Sequence, residues 1–328
     1  MSYLYIVIGL ILVFDFINGF HDSANSIATV VSTKVLSPIS AVGLAAVFNF
    51  LAFLIFPLKV AATIGKGVIS PHIISLSLIA SAVIAAIIWN LITWWLGLPS
   101  SSSHTLVGGL VGAAIAASGF DSVIWGGVLK IVIFIVVAPF LGMLISFVIS
   151  VLVLHIVKNS TPMAVDRHFR RLQLLSASAF SLGHGGNDAQ KSMGVIWAVL
   201  IAANQVAKDA PIALWVVLSC HAAIALGTLF GGWRIVRTMG QRITKLKPFE
   251  GFCAETAGAL TLFGVTHYGI PVSTTHTITG SIVGVGATKR LTAVKWGITT
   301  KIFWAWILTI PVSALIGAGM YDILRLII

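Results

Sequence analysis

Two polar segments are each written twice in a chain that is otherwise apolar. GFHDSANS at residues 19–26 is answered by GGNDAQKS at 185–192, and GLPSSSSHTLVGGLVG at 97–112 by GIPVSTTHTITGSIVG at 269–284. In the second pair eight of sixteen positions are identical: Gly, Pro, Ser, His, Thr, Gly, Val and Gly. Polar segments duplicated at membrane depth point to a transporter made of two repeats with its site between them.

Membrane placement follows from composition. Hydrophobic residues make up 58% of the chain and charged residues 9%, with a mean hydropathy of +1.04, against roughly 25% charged in a soluble domain. Apolar stretches recur along the whole length, for example 39–57 and 131–157, and each can cross a hydrocarbon core of about 30 Å as a helix. No soluble domain of useful size remains. The first apolar run leads straight into Asp15, Asn18, His21 and Asp22. It lacks the basic leader and small-residue cleavage site of a secretory signal, and reads as the first span of the mature protein. A net charge of +11 would suggest nucleic acid in a soluble protein. Here the basic residues gather in loops and act as a topology signal, so the expected surroundings are a lipid bilayer and no nucleic acid. Cys220 and Cys253 lie in apolar segments without CxxC spacing and read as small buried residues, not as a disulfide or a zinc site.

A coarse pass predicts helices over 3–34 and 38–60, a segment over 71–118 interrupted by PSSSSH, and a helix over 121–157. After KNSTPMAVDRHFRR the order repeats: 172–203, 211–236, 249–288 interrupted by PVSTTH, and 291–327. Trp125, Gly126, Lys130 and Pro139 match Trp296, Gly297, Lys301 and Pro311 with one inserted residue. The expected fold is an all-α integral membrane protein of two inverted repeats, each with three full crossings plus a re-entrant helical hairpin. Its expected division is a first repeat over 1–157, a cytoplasmic linker over 158–171 and a second, inverted repeat over 172–328.

An odd number of crossings per repeat forces the inversion, and the basic residues test it. Starting outside, this arrangement puts thirteen basic residues inside: Lys34, those of the linker from Lys158 to Arg171, the cluster from Arg234 to Lys247, and Lys289, Arg290 and Lys295. It leaves four outside, Lys59, Lys66, Lys208 and Arg325, the asymmetry expected of a cytoplasmic face. Lys130, Lys191 and Lys301 lie within spans. Both termini are then extracytoplasmic. The hairpin around Ser101 enters from outside and the one around Thr274 from inside, so that their tips meet near the midplane. Non-helical backbone at that depth is tolerated only where it is buried in protein or lines a wet cavity.

Each hairpin tip combines a helix-stopping proline (Pro99, Pro271), a run of hydroxyls (Ser100 to Ser103, Ser273 to Thr275) and a new helix beginning near His104 or His276. A helix start presents unpaired N–H groups and a positive dipole end, which suits an anion. Two of them face to face would enclose a tetrahedral oxyanion, and hydroxyls add donors without trapping it by charge. Asp22 and Asp188 sit inside long apolar helices, where an ionisable group costs at least a few kcal/mol and marks function by default. They are the cation-site candidates. Asn25, Asn187 and Gln190 beside them offer amide groups, and nearby glycines would let the backbone unwind to expose carbonyls, an oxygen set that suits a hard cation such as sodium.

Lys191 must find a buried partner, and three are open to it: Asp188, Asp22 or a bound anion. His21 and His184 read as hydrogen-bonded neutral imidazoles. His104 and His276, being repeated, either take part in function or hold the tips in shape. Asp15 and Asn18 line an access path or pack helices, while Glu250 and Glu255 are interface or capping groups.

These residues carry a resemblance. GFHDSANSIATVVSTK and GHGGNDAQKSMG resemble the paired signatures of the inorganic phosphate transporter (PiT) family, and P-x-S-(S/T)-(S/T)-H-T in both halves is similar to that family's hairpin loops. The resemblance covers essentially the whole chain. It implies secondary transport of inorganic phosphate driven by a sodium or proton gradient, in the cytoplasmic (inner) membrane, on an inverted-repeat fold and as a homodimer, without a cofactor. His21 stands where the commoner signature has Asn, which leaves open whether sodium or a proton is the coupling ion, with sodium favoured. Carried over residue by residue, Asn25, Ser102, Ser103, Gln190, Thr274 and Thr275 would bind phosphate, with Lys191 as a lesser candidate. Asp22, Asn187 and Asp188 would hold or sense cations, with Ser101 and Ser273 supplying further oxygens.

Competing readings are a symporter of metal-phosphate complexes, a transporter of another oxyanion such as sulfate, and a channel using the hairpins as a filter. An intramembrane enzyme with a Ser–His pair is disfavoured, since GxSxG and HExxH are absent and a duplicated catalytic pair has no evident use.

Overall fold

The computed structural model describes residues 2–327. Among them are twelve α-helices and no strands, joined by short turns: α1 (Ser2–Ser32), α2 (Pro38–Leu51), α3 (Lys59–Gly67), α4 (Leu76–Leu96), α5 (Ser102–Ser118), α6 (Trp125–Val157), α7 (Pro162–Ala202), α8 (Leu214–Phe230), α9 (Trp233–Arg237), α10 (Pro248–His267), α11 (Thr274–Lys289) and α12 (Trp296–Ile327). Helix starts follow local chemistry. Ser37, Ser75 and Thr161 each cap a helix by accepting a backbone N–H, and Pro38 and Pro162 occupy first-turn positions, where the missing N–H costs nothing. α4 stops at Gly97, whose φ of 65° is left-handed backbone that glycine adopts without strain.

Four helices, α1, α4, α6 and α12, are each long and apolar enough to cross a membrane. The predicted helix over 38–60 is broken. α2, extended by one 3₁₀ turn to Leu54, meets α3 at 83°, and the matching pair in the second half, α8 with α9 and its following turn, bends by 63°. Pro57 causes the first break by removing a donor and excluding the preceding residue from the helix; Gly231 and Gly232 allow the second. α7 begins at Pro162, ten residues before the predicted 172, because Thr161 and Pro162 start a helix that nothing in AVDRHFRR interrupts. Non-helical chain between the halves shrinks to a turn at 158–161. α7 itself is 41 residues long; its first turns carry exposed charged residues, whereas Gln173, Ser181, His184, Asn187, Asp188, Gln190, Lys191 and Ser192 farther along are buried.

The halves interlock. α1 packs on α8 as α7 packs on α2, α5 packs on α12 as α11 packs on α6, and α3 lies on α7 as α9 lies on α1. The apolar interior falls into two clusters. α1 enters the first with Leu4 to Phe14 and the second with Ala24 to Val30; α7 enters the second with Phe169 to Phe180 and the first with Ala189 to Leu200. The two helices thus run through the core in opposite directions, and each carries its polar motif between the clusters. α5 inserts into the first cluster and α11 into the second.

Candidate functional site

The site lies where α1 and α7 cross between the apolar clusters and the tips of both hairpins arrive. In both tips the half-helix begins two residues earlier than predicted, at Ser102 and Thr274, and the preceding serine is its cap: Ser101 Oγ accepts from His104 N at 3.3 Å and Ser273 Oγ from His276 N at 3.2 Å. Thr105 and Thr277 return a hydroxyl to the carbonyls of Ser101 and Ser273, at 2.7 and 2.9 Å. The tips meet. Ser103 Oγ donates to Val272 O at 3.4 Å, the rings of His104 and His276 lie 4.8 Å apart, His276 stacks on Trp306 at 3.8 Å, and the Trp306 indole donates to Pro99 O at 2.9 Å.

Against these tips α1 and α7 place their charged and amide groups. Asn25 Nδ2 donates to Thr274 Oγ1 at 3.2 Å and Thr275 Oγ1 at 2.9 Å, joining the first half's helix to the second half's hairpin. Lys191, at the position matching Asn25, does the converse: its ammonium bonds Ser103 Oγ of the first hairpin, as well as Asp188 Oδ1, and donates to Val272 O at 2.9 Å. Of the three partners open to it, Lys191 takes Asp188. Thr274 Oγ1 donates to the other Asp188 oxygen at 3.1 Å. Asp188 therefore has both oxygens engaged, as a fully buried carboxylate requires.

Asp22, His184 and Asp188 each present a ligand atom within 4.8 Å of one another. The two carboxylates, far apart in sequence, thus share one buried locus with an imidazole. Like charges so close in a low-dielectric interior repel strongly unless a cation or proton lies between them. Each carboxylate has a histidine beside it. His21 Nδ1 is 2.6 Å from Asp22 Oδ1, and its Nε2 is 3.1 Å from Thr93 Oγ1. His184 Nε2 lies 3.4 Å from Asp188 Oδ2 without forming a hydrogen bond, while its Nδ1 is 3.1 Å from Asn49 Oδ1.

All of these groups are closed off from solvent, the most exposed being Ser103 at 7%. Within this closed region several polar atoms have no protein partner: Asn25 Oδ1, Ser102 Oγ and His104 Nδ1. Buried polar atoms are ordinarily paired, so a cluster of orphans between two helix starts fits a small polar ligand better than a packed core.

Two of the candidates, Gln190 and Asn187, are engaged elsewhere, and Asp15 packs helices as expected. Gln190 spends most of its amide on the break between α2 and α3: Nε2 donates to Pro57 O (3.0 Å) and Oε1 accepts from Val60 N (3.0 Å) and Ala61 N (3.2 Å), while Nε2 also donates to Gly186 O of its own helix (2.7 Å). Asn187 holds the second hairpin, through Thr266 Oγ1 at 2.9 Å and the backbone of Ile270 and Val272 at 3.4 Å. Asp15 accepts from Ser192 Oγ at 2.7 Å and ties α1 to α7. Glu250 caps α10, accepting from Lys247 N at 2.7 Å, and Glu255 is an interface group, accepting from Gln173 and Ser176 of α7. Asn49 joins this set from outside the duplicated motifs. It fixes His184, donates to Thr228 and accepts from His221 through its carbonyl, and its signal was a lone amide inside PISAVGLAAVFNFL.

The profile of the Phosphate transporter family matches residues 18–165 and 157–317. A protein of Rhizobium meliloti (strain 1021), described as "Probable low-affinity inorganic phosphate transporter", is 55% identical over 319 residues, 96% of each chain. One of the same description from Bacillus subtilis (strain 168) is 45% identical over 96% of this chain and 95% of its own. A solved structure titled "The sodium-dependent phosphate transporter" superposes with a TM-score of 0.89 at 29% identity, covering 100% of both chains. The family consists of transporters, so the enzyme reading falls. With a profile spanning both halves and relatives matched almost end to end, this chain is a membrane protein that belongs to the Phosphate transporter family.

Proposed function

We propose that the chain takes up inorganic phosphate by sodium symport, with alternating access around a site at the interface of two inverted repeats. The observation that carries this reading is the juxtaposition of the Asp22–Asp188–His184 cluster with the orphaned polar atoms between the hairpin tips. One set suits a cation and the other an oxyanion, and each lowers the cost of burying its neighbour. Asn25, Ser102, Ser103, Thr274, Thr275 and Lys191 bind phosphate. Asp22 and Asp188 hold the cations, with Asn187, Ser101 and Ser273 fixing the tips. Lys191 exchanges Asp188 for phosphate when sodium takes up the carboxylate. Inversion is supported by the opposed courses of α1 and α7 and by the insertion of each hairpin into a different apolar cluster. Hairpin one then gates the outside and hairpin two the inside of the cytoplasmic membrane, with both termini extracytoplasmic. A homodimer remains part of this proposal by family likeness alone.

In proteoliposomes, an inward sodium gradient is expected to drive accumulation of radiolabelled phosphate that neither a proton gradient nor equal sodium on both sides supports. A second reading, proton coupling, is favoured by one observation, the 2.6 Å approach of His21 to Asp22, which offers a ready proton acceptor. Accumulation under the proton gradient alone would establish it, and sulfate accumulation equal to that of phosphate would replace the substrate.

Gln190 is proposed as a positioning residue in place of a phosphate ligand. Gln190→Leu leaves Val60 N, Ala61 N and Pro57 O unpaired, a loss of about 3 kcal/mol, so the unfolding midpoint should fall while half-saturating phosphate stays unchanged. The reverse pattern returns Gln190 to the phosphate site.

A further inference from the structure

One turn is built twice in this protein. Ahead of α6 and of α12 lies a single 3₁₀ turn, Phe120–Ser122 and Leu291–Ala293. In the first copy Ile124 N donates to Val68 O at 3.0 Å, and in the second Lys295 N donates to Ile243 O at 2.9 Å. The indoles of Trp125 and Trp296 close the two turns on Phe120 O and Leu291 O, at 3.1 and 2.9 Å. Where the first copy has Ser118, Gly119, Asp121 and Ile124, the second has Lys289, Arg290, Thr292 and Lys295. The fold of the turn therefore does not need the basic residues, since the same backbone forms without them.

In the second copy those residues, together with Thr244 and Lys245, line a cavity of about 550 Å³, within the size range of ligand sites. The segment carrying Lys245 is held against the turn by Lys289 Nζ, which donates to Lys245 O at 2.9 Å. Lys289 has its own counter-charge, Glu250 Oε1 at 2.7 Å. Among the described residues Lys245, Arg290 and Lys295 form no ion pair. Basic residues on one side of a membrane satisfy the topology rule wherever they stand in a loop; gathering three without a counter-charge around one concavity adds repulsion that an anion removes. Exposed Leu291 and Trp296 flank the cavity where α12 enters its apolar stretch, the position of a tryptophan at the lipid–water boundary.

We infer that this cavity binds the phosphate headgroup of an anionic phospholipid. Basic pockets at that depth recognise such headgroups through several cations and hydroxyl donors at once, and Thr244 and Thr292 supply the hydroxyls. The bound lipid joins the end of α11, whose other end carries Thr274 and Thr275, to the start of α12.

The test is native mass spectrometry of the full chain in neutral detergent after addition of phosphatidylglycerol or phosphatidylcholine, with inorganic phosphate in a separate arm. Wild type should retain phosphatidylglycerol in preference to phosphatidylcholine. Each charge removed should weaken that retention about fivefold, so Lys245→Gln/Arg290→Gln/Lys295→Gln loses about 100-fold. A variant with equal charge loss, Lys158→Gln/Arg167→Gln/Arg171→Gln, should keep it. Should the first triple variant fold poorly, Lys295→Ile installs the residue that the first copy carries at 124 and should lose about fivefold alone. Equal losses in both triple variants, or no lipid preference in wild type, overturn the inference. Displacement of the lipid by inorganic phosphate also overturns it, by assigning the cavity to a soluble anion.

Discussion

Asp22→Asn should abolish sodium-driven phosphate uptake, lowering it by about 100-fold or more, while the protein stays folded in the membrane. If Asp22 holds a cation as proposed, removing its carboxylate costs about 3 kcal/mol of ion binding. His21, 2.6 Å from Asp22, still finds the amide oxygen of the substituted residue, so the local structure survives. Asp188→Asn should lose uptake equally but also lose stability. It strands the Lys191 ammonium, which is bonded to Asp188 and buried between the tips, and an uncompensated buried charge costs about 3–5 kcal/mol. Adding Lys191→Gln to Asp188→Asn should restore the unfolding midpoint without restoring uptake. Thermal unfolding in detergent and uptake in proteoliposomes separate the two effects. Wild-type sodium dependence in both single variants would remove the carboxylates from the cation site. Equal stability of Asp188→Asn and Asp22→Asn would show that Lys191 does not depend on Asp188.

The meeting of one hairpin tip with the other, and the choice of Asp22 and Asp188 as the charged groups to watch, are legible in the sequence because duplication and polarity mark the same positions independently; that the two carboxylates share one locus is seen only in the structure. An ionisable residue inside an apolar helix has few bland explanations, and two at matching places have fewer. What escaped were the breaks in the spans, and with them the roles that depend on the breaks. Hydropathy continues through Pro57, so the sequence pattern carries the helix on to residue 60; a chain running unbroken there has no unpaired Val60 N or Ala61 N, and Gln190 is left free to bind a ligand. Once α3 is seen to start afresh at Lys59, its first N–H groups need an acceptor, and Gln190 supplies it. Ser101 and Ser273 follow the same logic. With the half-helices begun near His104 and His276 they look like spare oxygens, whereas with the helices begun at Ser102 and Thr274 they are caps. Residue type announces that an amide or hydroxyl must bond, but whether its partner is backbone or ligand depends on where the helix starts, to within two residues.

The interlocked halves rest on close backbone approach, and Gly112→Leu should therefore prevent folding. A Cβ at Gly112 would lie 1.8 Å from Ala314 O on α12, and one at Gly108 2.6 Å from Ile310 O. The second half repeats this seam: a Cβ at Gly280 would lie 2.1 Å from Pro139 O on α6, and one at Gly284 2.2 Å from Met143 O. Small residues let helices pack where apolar attraction alone gives no advantage in lipid. Serine hydroxyls crowd Gly108 and Gly284 as well, but a backbone carbonyl obstructs all four positions, so no rotamer relieves the clash, and each Leu substitution should cost more than about 3 kcal/mol, seen as loss of the monodisperse peak in size-exclusion chromatography. Gly126 and Gly297 also match between the halves but have nothing within 4 Å of an added Cβ, so Gly126→Ala and Gly297→Ala should change stability by about 0.5 kcal/mol or less. Tolerance of Leu at both 112 and 280 would mean that the seams are loose. If they are tight, a hairpin cannot move alone: α5 carries α12 of the other half with it, and α11 carries α6. Under the proposed alternating access, each gate would then be a block built from both halves, α4 with α5 and α12, or α10 with α11 and α6. Opening on one face would be expected to separate Ser103 from Val272 and Asn25 from Thr274 while both glycine seams stay closed.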